Sequence, residues 1–480
     1  MERRAELSSP LPLWATAFTH LHLQGEPDSD SFPGLIWEGN DGLDHVGTVW
    51  RPPPGKRGVF LHDRLVSSAG RGVRIRRLGG DRAGEIRLSR FLRNAKVTPD
   101  EMVSSAAARI GERCADRHVL VIQDTTVVKS EGGGGLYLHA CVGVDADDGA
   151  ILGLAHAQFL KRETGRKVMR RKLPTADKES QRWLDGADHA ARACRTARQL
   201  TIIADRESDI YAAFAACPAG AHMIVRAAQD RGLGDGGLLF NKVDTQPEAG
   251  RTTLELPAKP GRAARKATLA VRFARVALKR PKNTFDEDLP DTLNLNIVDV
   301  REVDADTGEC VHWRLLTTRP VDDMREALVI VDLYRRRWAI EQLFRTMKTQ
   351  GFDIEGLRIE EDVPRCNLVM AALIAAVTVQ QLVHARHGAD PQGRLRPILD
   401  AFEEDDIPLM EALCAKLEGK TQRQKNPHPK RSLAYASWVC ARLGGWTGYY
   451  GKPGPIVMLE GWFEFQAAKR GVLALRQFNV

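Results

Sequence analysis

Short apolar runs alternate with helix-like segments from about residue 116 to residue 231. The runs HVLVIQD, which ends at Asp124, and QLTIIAD, which ends at Asp205, have the continuous apolar character of strands buried on both faces. The remaining segments are the strand patterns GLYLHACVGVD, AILGLAHAQFLK and HMIVRA and the helix patterns KESQRWLDGADHAARACRTA and SDIYAAFAAC. The predicted order of elements is therefore β-β-β-α-β-α-β.

Three successive strands followed by alternating helices and strands is the order of a ribonuclease H-like domain, although order alone also fits other α/β folds. The predicted fold class is α/β, with a ribonuclease H-like core, an inserted β-rich domain, and helical N- and C-terminal regions. The predicted divisions are 1–70, a loop-rich segment; 71–115, a basic helical DNA-binding region; 116–231, the first part of the core; 232–318, the β-rich insertion; 319–363, the rest of the core; and 364–480, a helical region for dimerisation.

The stretch YRRRWAIEQLFRTMK, residues 334 to 348, has helical periodicity. At 100° per residue, an uninterrupted helix places Tyr334, Arg337, Glu341, Arg345 and Lys348 on one stripe. The opposite side is apolar, which indicates packing on a core; its residues are Leu333, Ile340, Leu343, Phe344 and Met347. For this stretch taken alone, a surface helix with intrahelical ion pairs such as Glu341 to Arg345 is the favoured explanation, and a functional role depends on whether other carboxylates meet Glu341.

Three carboxylates can meet if these elements are neighbours. Asp124 and Asp205 each stand where a carboxylate leaves the end of a central strand, and Glu341 projects from a helix with an apolar underside. Like charges that close need a cation between them or a shared proton, and oxygen ligands select Mg²⁺ or Mn²⁺. An aspartate at a strand end is often only a helix cap or turn residue, which is the role we predict for Asp209.

Charge and composition narrow the class of partner. The chain has 480 residues, a formal net charge of +8 and a pI near 9.1. Between Arg251 and Phe285 ten lysines and arginines face the single acid Glu255, and the stretch KRETGRKVMRRK from Lys161 has seven bases. Basic patches spread along a chain suit a long polyanion, although each patch alone can be a solvated loop.

The cysteines and the apolar segments indicate a soluble cytoplasmic protein. Eight cysteines are scattered singly without a CxxC or Cys/His cluster, which argues against a zinc module and for a reduced compartment. The longest apolar stretch, LVMAALIAAVTVQQLV from Leu368, is interrupted and short for a bilayer, so we expect a buried helix and no membrane partner.

The motifs together resemble a known family. QDTT at 123 to 126, ADRESDIY at 204 to 211 and the spacing Y-x2-R-x3-E-x6-K from Tyr334 to Lys348 are similar to the YREK-signature group of bacterial DDE transposases. The similarity covers roughly residues 76 to 465. It includes WVCARLGGWTGYY, which resembles the C-terminal region that mediates synapsis, the pairing of two transposon ends, in this family.

The resemblance implies a role for each matching residue. Asp124, Asp205 and Glu341 would be the catalytic residues that bind two Mg²⁺ ions, which Mn²⁺ can replace. The DNA contacts implied are phosphate contacts by Tyr334, Arg337, Lys348 and Arg345, stacking of Trp313 near a flipped base, and an approach of Arg226 to DNA. From its residues alone, Trp313 fits a core position at a strand end equally well, and Thr125 and Thr126 would shape the loop after Asp124.

The implied activity is cut-and-paste transposition on double-stranded DNA: nicking at the inverted-repeat ends, hairpin formation, hairpin opening and joining to target DNA. A homodimer is expected in the synaptic complex. Family members open with a compact helical domain that reads the inverted repeat, whereas residues 1–70 have a loop-like composition, so the start lies further along or the segment is rearranged. Two alternatives stay open: a catalytically silent DNA-binding remnant or inhibitor acting by dimerisation, and a metal-dependent nuclease without strand transfer.

Overall fold

A computed structural model describes most of the chain after residue 74. The described residues are 75–79, 81–128, 135–161, 174–256, 263–282, 286, 288–303, 310–348, 351–449 and 451–478. The predicted loop-rich segment 1–70 and nearly all of the basic stretch from 161 to 172 lie outside these ranges. The fold is mixed α/β with one large central sheet, which confirms the predicted class.

The sheet has nine strands in the order β3-β2-β1-β4-β5-β9-β8-β7-β6. Their bounds are β1 (His118–Val128), β2 (Leu136–Asp145), β3 (Ile151–Lys161), β4 (Gln199–Ala204), β5 (Ala221–Arg226), β6 (Gly250–Leu256), β7 (Arg265–Lys279), β8 (Thr292–Glu302) and β9 (His312–Thr317). β1, β4 and β5 run parallel, while the other neighbours are antiparallel. The order of the first five strands is consistent with a ribonuclease H-like core.

The apolar run of β1 is buried because both of its faces are covered. Leu120 and Ile122 belong to one hydrophobic cluster, while Val119 and Val121 belong to the cluster on the other face. Since successive side chains of a strand point to opposite faces, this division assigns every other residue of β1 to the same side. β1 continues to Val128, so the prediction that it ends at Asp124 is wrong.

The β-rich segment between 232 and 318 joins the same sheet. β9 pairs with β5, with Ile224 opposite Thr317 and Arg226 opposite Leu315, and β8, β7 and β6 follow outward. The four predicted strands of this segment are present. Each was visible from its own alternation, whereas the pairing of β9 with β5 joins residues about 90 positions apart.

Twelve helices cover and extend the sheet in the described ranges. They are α1 (Ile75–Gly79), α2 (Arg82–Leu92), α3 (Pro99–Arg113), α4 (Gln181–Ala193), α5 (Tyr211–Ala215), α6 (Leu239–Asp244), α7 (Met324–Arg335), α8 (Trp338–Lys348), α9 (Asp362–Ala385), α10 (Ile407–Leu417), α11 (Leu433–Leu443) and α12 (Pro455–Phe478). α3 begins as predicted, since the Thr98 side chain accepts a hydrogen bond from the Glu101 N–H. α9 is long and apolar enough to cross a membrane, but 94% of its apolar window is buried inside the protein, as expected of a core helix.

The stretch 334 to 348 is not one helix, which corrects the prediction. α7 ends at Arg335 and α8 begins at Trp338, and the intervening backbone N–H of Arg337 bonds to the carbonyl of Tyr334. The Arg336 guanidinium anchors this turn by donating to the Asp147 carbonyl oxygen at 3.0 Å, in the turn between β2 and β3. The turn takes Tyr334 out of the basic stripe: it is only 5% exposed, whereas the predicted apolar residues of α8 are buried as expected.

Candidate active site

The sheet register brings Asp124 and Asp205 side by side. Gln123 and Ala204 are the last paired residues of the parallel strands β1 and β4, so Asp124 and Asp205 are the next residue in each. Asp205 leaves the sheet at this point and accepts a hydrogen bond from the Glu207 N–H at 3.2 Å. Asp124 remains in β1, where it pairs only with β2, opposite Ala140. The two carboxylates therefore share the carboxyl edge of the parallel strands.

Helix α8 adds Glu341 to this edge, and an arginine bridges the carboxylates. Arg337 Nη1 donates to Asp124 Oδ2 at 3.2 Å, and Arg337 Nη2 donates to Glu341 Oε1. The three side chains are partly buried, with exposures of 12% for Arg337, 24% for Asp124 and 30% for Glu341. Glu341 thus pairs with Arg337, four residues before it, and not with Arg345 as the surface-helix alternative supposes.

Burial and neighbouring charges perturb the pKa values of this cluster. Burial raises the pKa of Asp124 to about 6, and the nearby charges of Asp205 and Glu341 raise it as well. The Thr125 N–H, at 2.7 Å from Asp124 Oδ1, and Arg337 act in the opposite direction without cancelling the effect. Although burial lowers the pKa of Arg337, the surrounding Tyr334, Glu341 and Asp124 hold it above its ordinary value. The cluster therefore concentrates negative charge around one guanidinium.

The side chains fit a hard cation by their chemistry. Three carboxylates supply oxygen donors of the kind that Mg²⁺ and Mn²⁺ prefer. A cation among them would stabilise the charged form of Asp124, which burial disfavours and which Asp205 and Glu341 repel. Across the described ranges, no three acidic, histidine or cysteine side chains stand in a metal-holding arrangement. The Arg337 guanidinium lies between Asp124 and Glu341, so a metal ion that takes both requires Arg337 to release them.

Tyr334, Trp313 and Arg226 lie beside the carboxylates. The Trp313 and Tyr334 rings meet edge to face with centroids 5.5 Å apart. Burial raises the pKa of Tyr334, and the charges of Arg337, Arg226 and Asp205 are close enough to affect it. Arg226, the last residue of β5, donates to the His312 carbonyl oxygen at 2.9 Å. Sheet and turn thus place two aromatic rings and two arginines at one side of the site.

Lys348 and Arg345 extend the basic surface along α8. Lys348 lies seven residues after Glu341, and its Nζ pairs with Glu355 Oε1 at 3.3 Å. Arg345 is exposed, and no ion-pair partner for it lies within the described part of the chain. Neither cation contacts Asp124, Asp205 or Glu341; Arg345 is exposed to a ligand that runs past the site, and Lys348 reaches such a ligand by exchanging its contact with Glu355.

Asp209 has a different role from the predicted one. α5 begins at Tyr211 with Ile210 at its cap position, so the prediction that Asp209 opens this helix is wrong. The buried Asp209 carboxylate accepts hydrogen bonds from the backbone N–H groups of Ala228 and Gln229 at 2.8 and 3.0 Å, and from the Arg231 guanidinium at 2.8 Å. It therefore fixes the loop that follows β5, a long-range role that no local pattern indicates.

A polar network that was not predicted from the sequence lies on the other face of β1. Its members are Gln123, Thr125, His139, Arg182 and Glu207, joined by hydrogen bonds of 2.9 to 3.1 Å. The signal available was the presence of polar side chains inside otherwise apolar strand patterns, such as the histidine in GLYLHACVGVD. Those polar residues do not show which helix packs against that face of β1.

Comparison with known families agrees with the geometry. The family model described as a transposase DDE domain matches residues 138–377, which is 240 of the 480 residues and so half of the chain. The matched range includes Asp205 and Glu341, and it begins after Asp124. The chain therefore belongs to the family of transposases with a DDE domain.

Proposed function

We propose that this transposase cuts and joins DNA at Asp124, Asp205 and Glu341, as a member of the YREK-signature group. The observation that carries the proposal is that Arg337 pairs with both Asp124 and Glu341, while the register of β1 and β4 places Asp205 beside Asp124. Transposases of the DDE class generally use divalent metal ions. Two Mg²⁺ ions, or Mn²⁺ in their place, would supply activation of the attacking oxygen and charge stabilisation at phosphorus.

The proposed reaction is a series of in-line attacks at phosphorus. Water nicks one strand at the transposon end, and the freed 3′-hydroxyl attacks the opposite strand to form a hairpin. A second hydrolysis opens the hairpin, and the 3′-hydroxyl then joins the target strand. Each step forms one P–O bond, to the oxygen of water or of a 3′-hydroxyl, and breaks another, to the leaving 3′-oxygen, so one set of carboxylates can serve all of them.

The surrounding residues would hold the DNA. Arg337, Lys348, Arg345 and Arg226 are cations beside or along the site and would bind phosphates of the transposon end, with Tyr334 as a further phosphate contact. Trp313 would supply an aromatic surface for a base that leaves the stack, which recovers roughly 1–3 kcal/mol of stacking. The Tyr334 ring interacts with Arg337 and packs against the Trp313 ring, so a phosphate that draws Arg337 outward would arrive beside Tyr334.

The partners proposed are double-stranded DNA, both inverted-repeat ends and target, and a second copy of the chain. Residues 116–231 and 319–363 would form the catalytic core, 71–115 would contact DNA, and 232–318 would be the β-rich insertion. The helical region 364–480 would join two copies in the synaptic complex.

The test is cleavage of a duplex that carries the inverted repeats flanking this reading frame, with products separated on a denaturing gel. We expect Mg²⁺-dependent nicks followed by hairpins with the wild-type protein. Glu341→Gln should abolish both while leaving binding to the duplex in place, and Glu360→Gln, an exposed control, should behave as wild type. Normal cleavage by Glu341→Gln would refute the assignment. Binding without cleavage by the wild-type protein would favour an inhibitor or remnant.

A further inference from the structure

The face of β1 opposite Asp124 is occupied by a closely packed helix. Because side chains alternate, Gln123 and Thr125 point away from the carboxylates and toward α4. At Gly186 of α4, an added Cβ would lie 2.7 Å from Gln123 Oε1 and 2.8 Å from Cys141 Sγ, so only glycine allows this approach. α4 is therefore seated directly against the residues that flank Asp124.

A directional chain of hydrogen bonds runs through this interface. Arg182 Nε donates to Thr125 Oγ1 at 3.1 Å, Thr125 Oγ1 lies 3.0 Å from His139 Nδ1, and His139 Nε2 lies 3.1 Å from Gln123 Oε1. Because arginine can only donate, Thr125 Oγ1 accepts from Arg182 and donates its own proton to His139 Nδ1. The N–H at His139 Nε2 then donates to Gln123 Oε1. His139 is fully buried, and burial lowers its pKa well below the usual range. The imidazole is therefore neutral, as this series of hydrogen bonds requires.

The same guanidinium reaches the segment that carries Asp205. Arg182 Nη2 donates to Glu207 Oε2 at 2.9 Å, and Arg182 Nη1 donates to the Glu179 carbonyl oxygen at 2.7 Å. Glu207 in turn donates its backbone N–H to Asp205 Oδ1. The Arg182 side chain is only 7% exposed, so its charge is held in place by these acceptors. One buried arginine thus joins the neighbour of Asp124 to the turn that begins at Asp205.

This link opposes the repulsion between the two carboxylates. Asp124 and Asp205 carry like charges, and each follows the last residue that pairs β1 with β4, Gln123 and Ala204 respectively. No β1–β4 backbone pairing therefore holds the two aspartates together. The contacts of Arg182 lie immediately past this last pair, on both segments. Groups that orient metal ligands from behind commonly change metal affinity or activity by about 10- to 100-fold when removed.

We propose that Arg182 is a positioning residue that, through Thr125 and Glu207, holds Asp124 and Asp205 at the separation needed to bind metal. This inference rests on the proposed function of the two aspartates as metal ligands. Arg182 itself touches neither the DNA nor the reacting atoms in this account. It acts on the geometry of the carboxylates from the opposite face of the sheet.

The test measures Mn²⁺ binding to the complex of the full chain with a transposon-end duplex, by the loss of the free-ion electron paramagnetic resonance signal. Thr125→Val keeps the shape of the side chain but removes the hydroxyl, and Arg182→Gln removes the charge. We expect both to raise the Mn²⁺ concentration for half-saturation by roughly tenfold, with unchanged affinity for the duplex. Thr125→Ser, which keeps the hydroxyl, should bind Mn²⁺ as wild type does.

A matched control separates positioning from stability. Arg396 is similarly buried and pairs with Asp145, which lies opposite Val119 at the other end of β1. Arg396→Gln should lower the melting temperature without changing Mn²⁺ half-saturation. Unchanged half-saturation in Thr125→Val would overturn the proposal even if Arg182→Gln does not fold. Absence of Mn²⁺ binding by the wild-type complex would instead overturn the proposed function on which it rests.

Discussion

Replacing Asp124 by asparagine should stabilise the free protein at neutral pH. The pKa of Asp124 is raised to about 6 from an ordinary 3.8, which means that the folded state disfavours the charged carboxylate. At about 1.4 kcal/mol per pKa unit, the charged form costs about 3 kcal/mol in folding free energy. Asparagine removes the charge, keeps the shape and can still accept the hydrogen bond from Arg337. The free energy of unfolding should therefore rise by about 2–3 kcal/mol at pH 7.5.

The gain should depend on pH in a defined direction. Above pH 6 Asp124 is charged in both the folded and the unfolded state, so the full penalty is present and the gain from asparagine is largest. Between pH 6 and 3.8 the folded state holds a proton that the unfolded state has lost, and the gain shrinks as pH falls. Below 3.8 the carboxyl is neutral in both states, and wild type and Asp124→Asn should be equally stable.

The assay is thermal unfolding in EDTA at pH 7.5 and pH 4, followed by circular dichroism. Asp390 is a control of opposite sign: although burial acts to raise its pKa, backbone and side-chain N–H groups of Arg394 hold that pKa below the ordinary value. Asp390→Asn should therefore lower the melting temperature at pH 7.5. Equal or lower stability of Asp124→Asn at pH 7.5 would refute the conclusion that burial, aided by the charges of Asp205 and Glu341, disfavours the charged Asp124 carboxylate.

Three further predictions concern the residues around the carboxylates. Arg337→Gln should bind Mn²⁺ roughly tenfold more tightly at pH 8 without DNA, because ion pairing worth about 1.4 kcal/mol no longer competes with the metal. Its affinity for the transposon end should fall. Weaker Mn²⁺ binding in calorimetry would contradict this prediction. Lys348→Ala should reduce the salt dependence of end binding by about one phosphate contact, and an unchanged slope in a filter-binding titration would exclude that contact. Trp313→Ala should nick normally but accumulate fewer hairpins, whereas equal loss of nicks and hairpins would indicate a structural role.

The local patterns predicted the strands and the two aspartates because these depend on short-range chemistry. An apolar run followed by a carboxylate singled out Asp124 and Asp205, although β1 continues past Asp124 to Val128. The rule that parallel strands share a carboxyl edge predicted that the two aspartates are neighbours. The break between α7 and α8 escaped prediction because both halves keep a helical period and neither Gly nor Pro marks the turn. It is anchored by Arg336 and Asp147, which are 189 residues apart.

The contacts made across the fold could not be read from the sequence. Arg337 has the spacing of an intrahelical partner for Glu341, but its second bond, to Asp124, spans 213 residues. The network of Thr125, His139 and Arg182 depends on which helix covers the far face of β1, and hydrophobic periodicity leaves that choice open. Polar side chains in a buried strand indicate that a hydrogen-bond network exists, but the sequence does not identify the residues that complete it.

The position of the bound metal decides whether Asp124, Asp205 and Glu341 form the active site. A crystal of the full chain bound to a transposon-end duplex, soaked in Mn²⁺ at pH 8, would show the ions by anomalous scattering. We expect ions coordinated by Asp124, Asp205 and Glu341, with the Arg337 guanidinium moved onto a phosphate. Ions bound elsewhere, or Arg337 still bridging Asp124 and Glu341 with DNA in place, would contradict it.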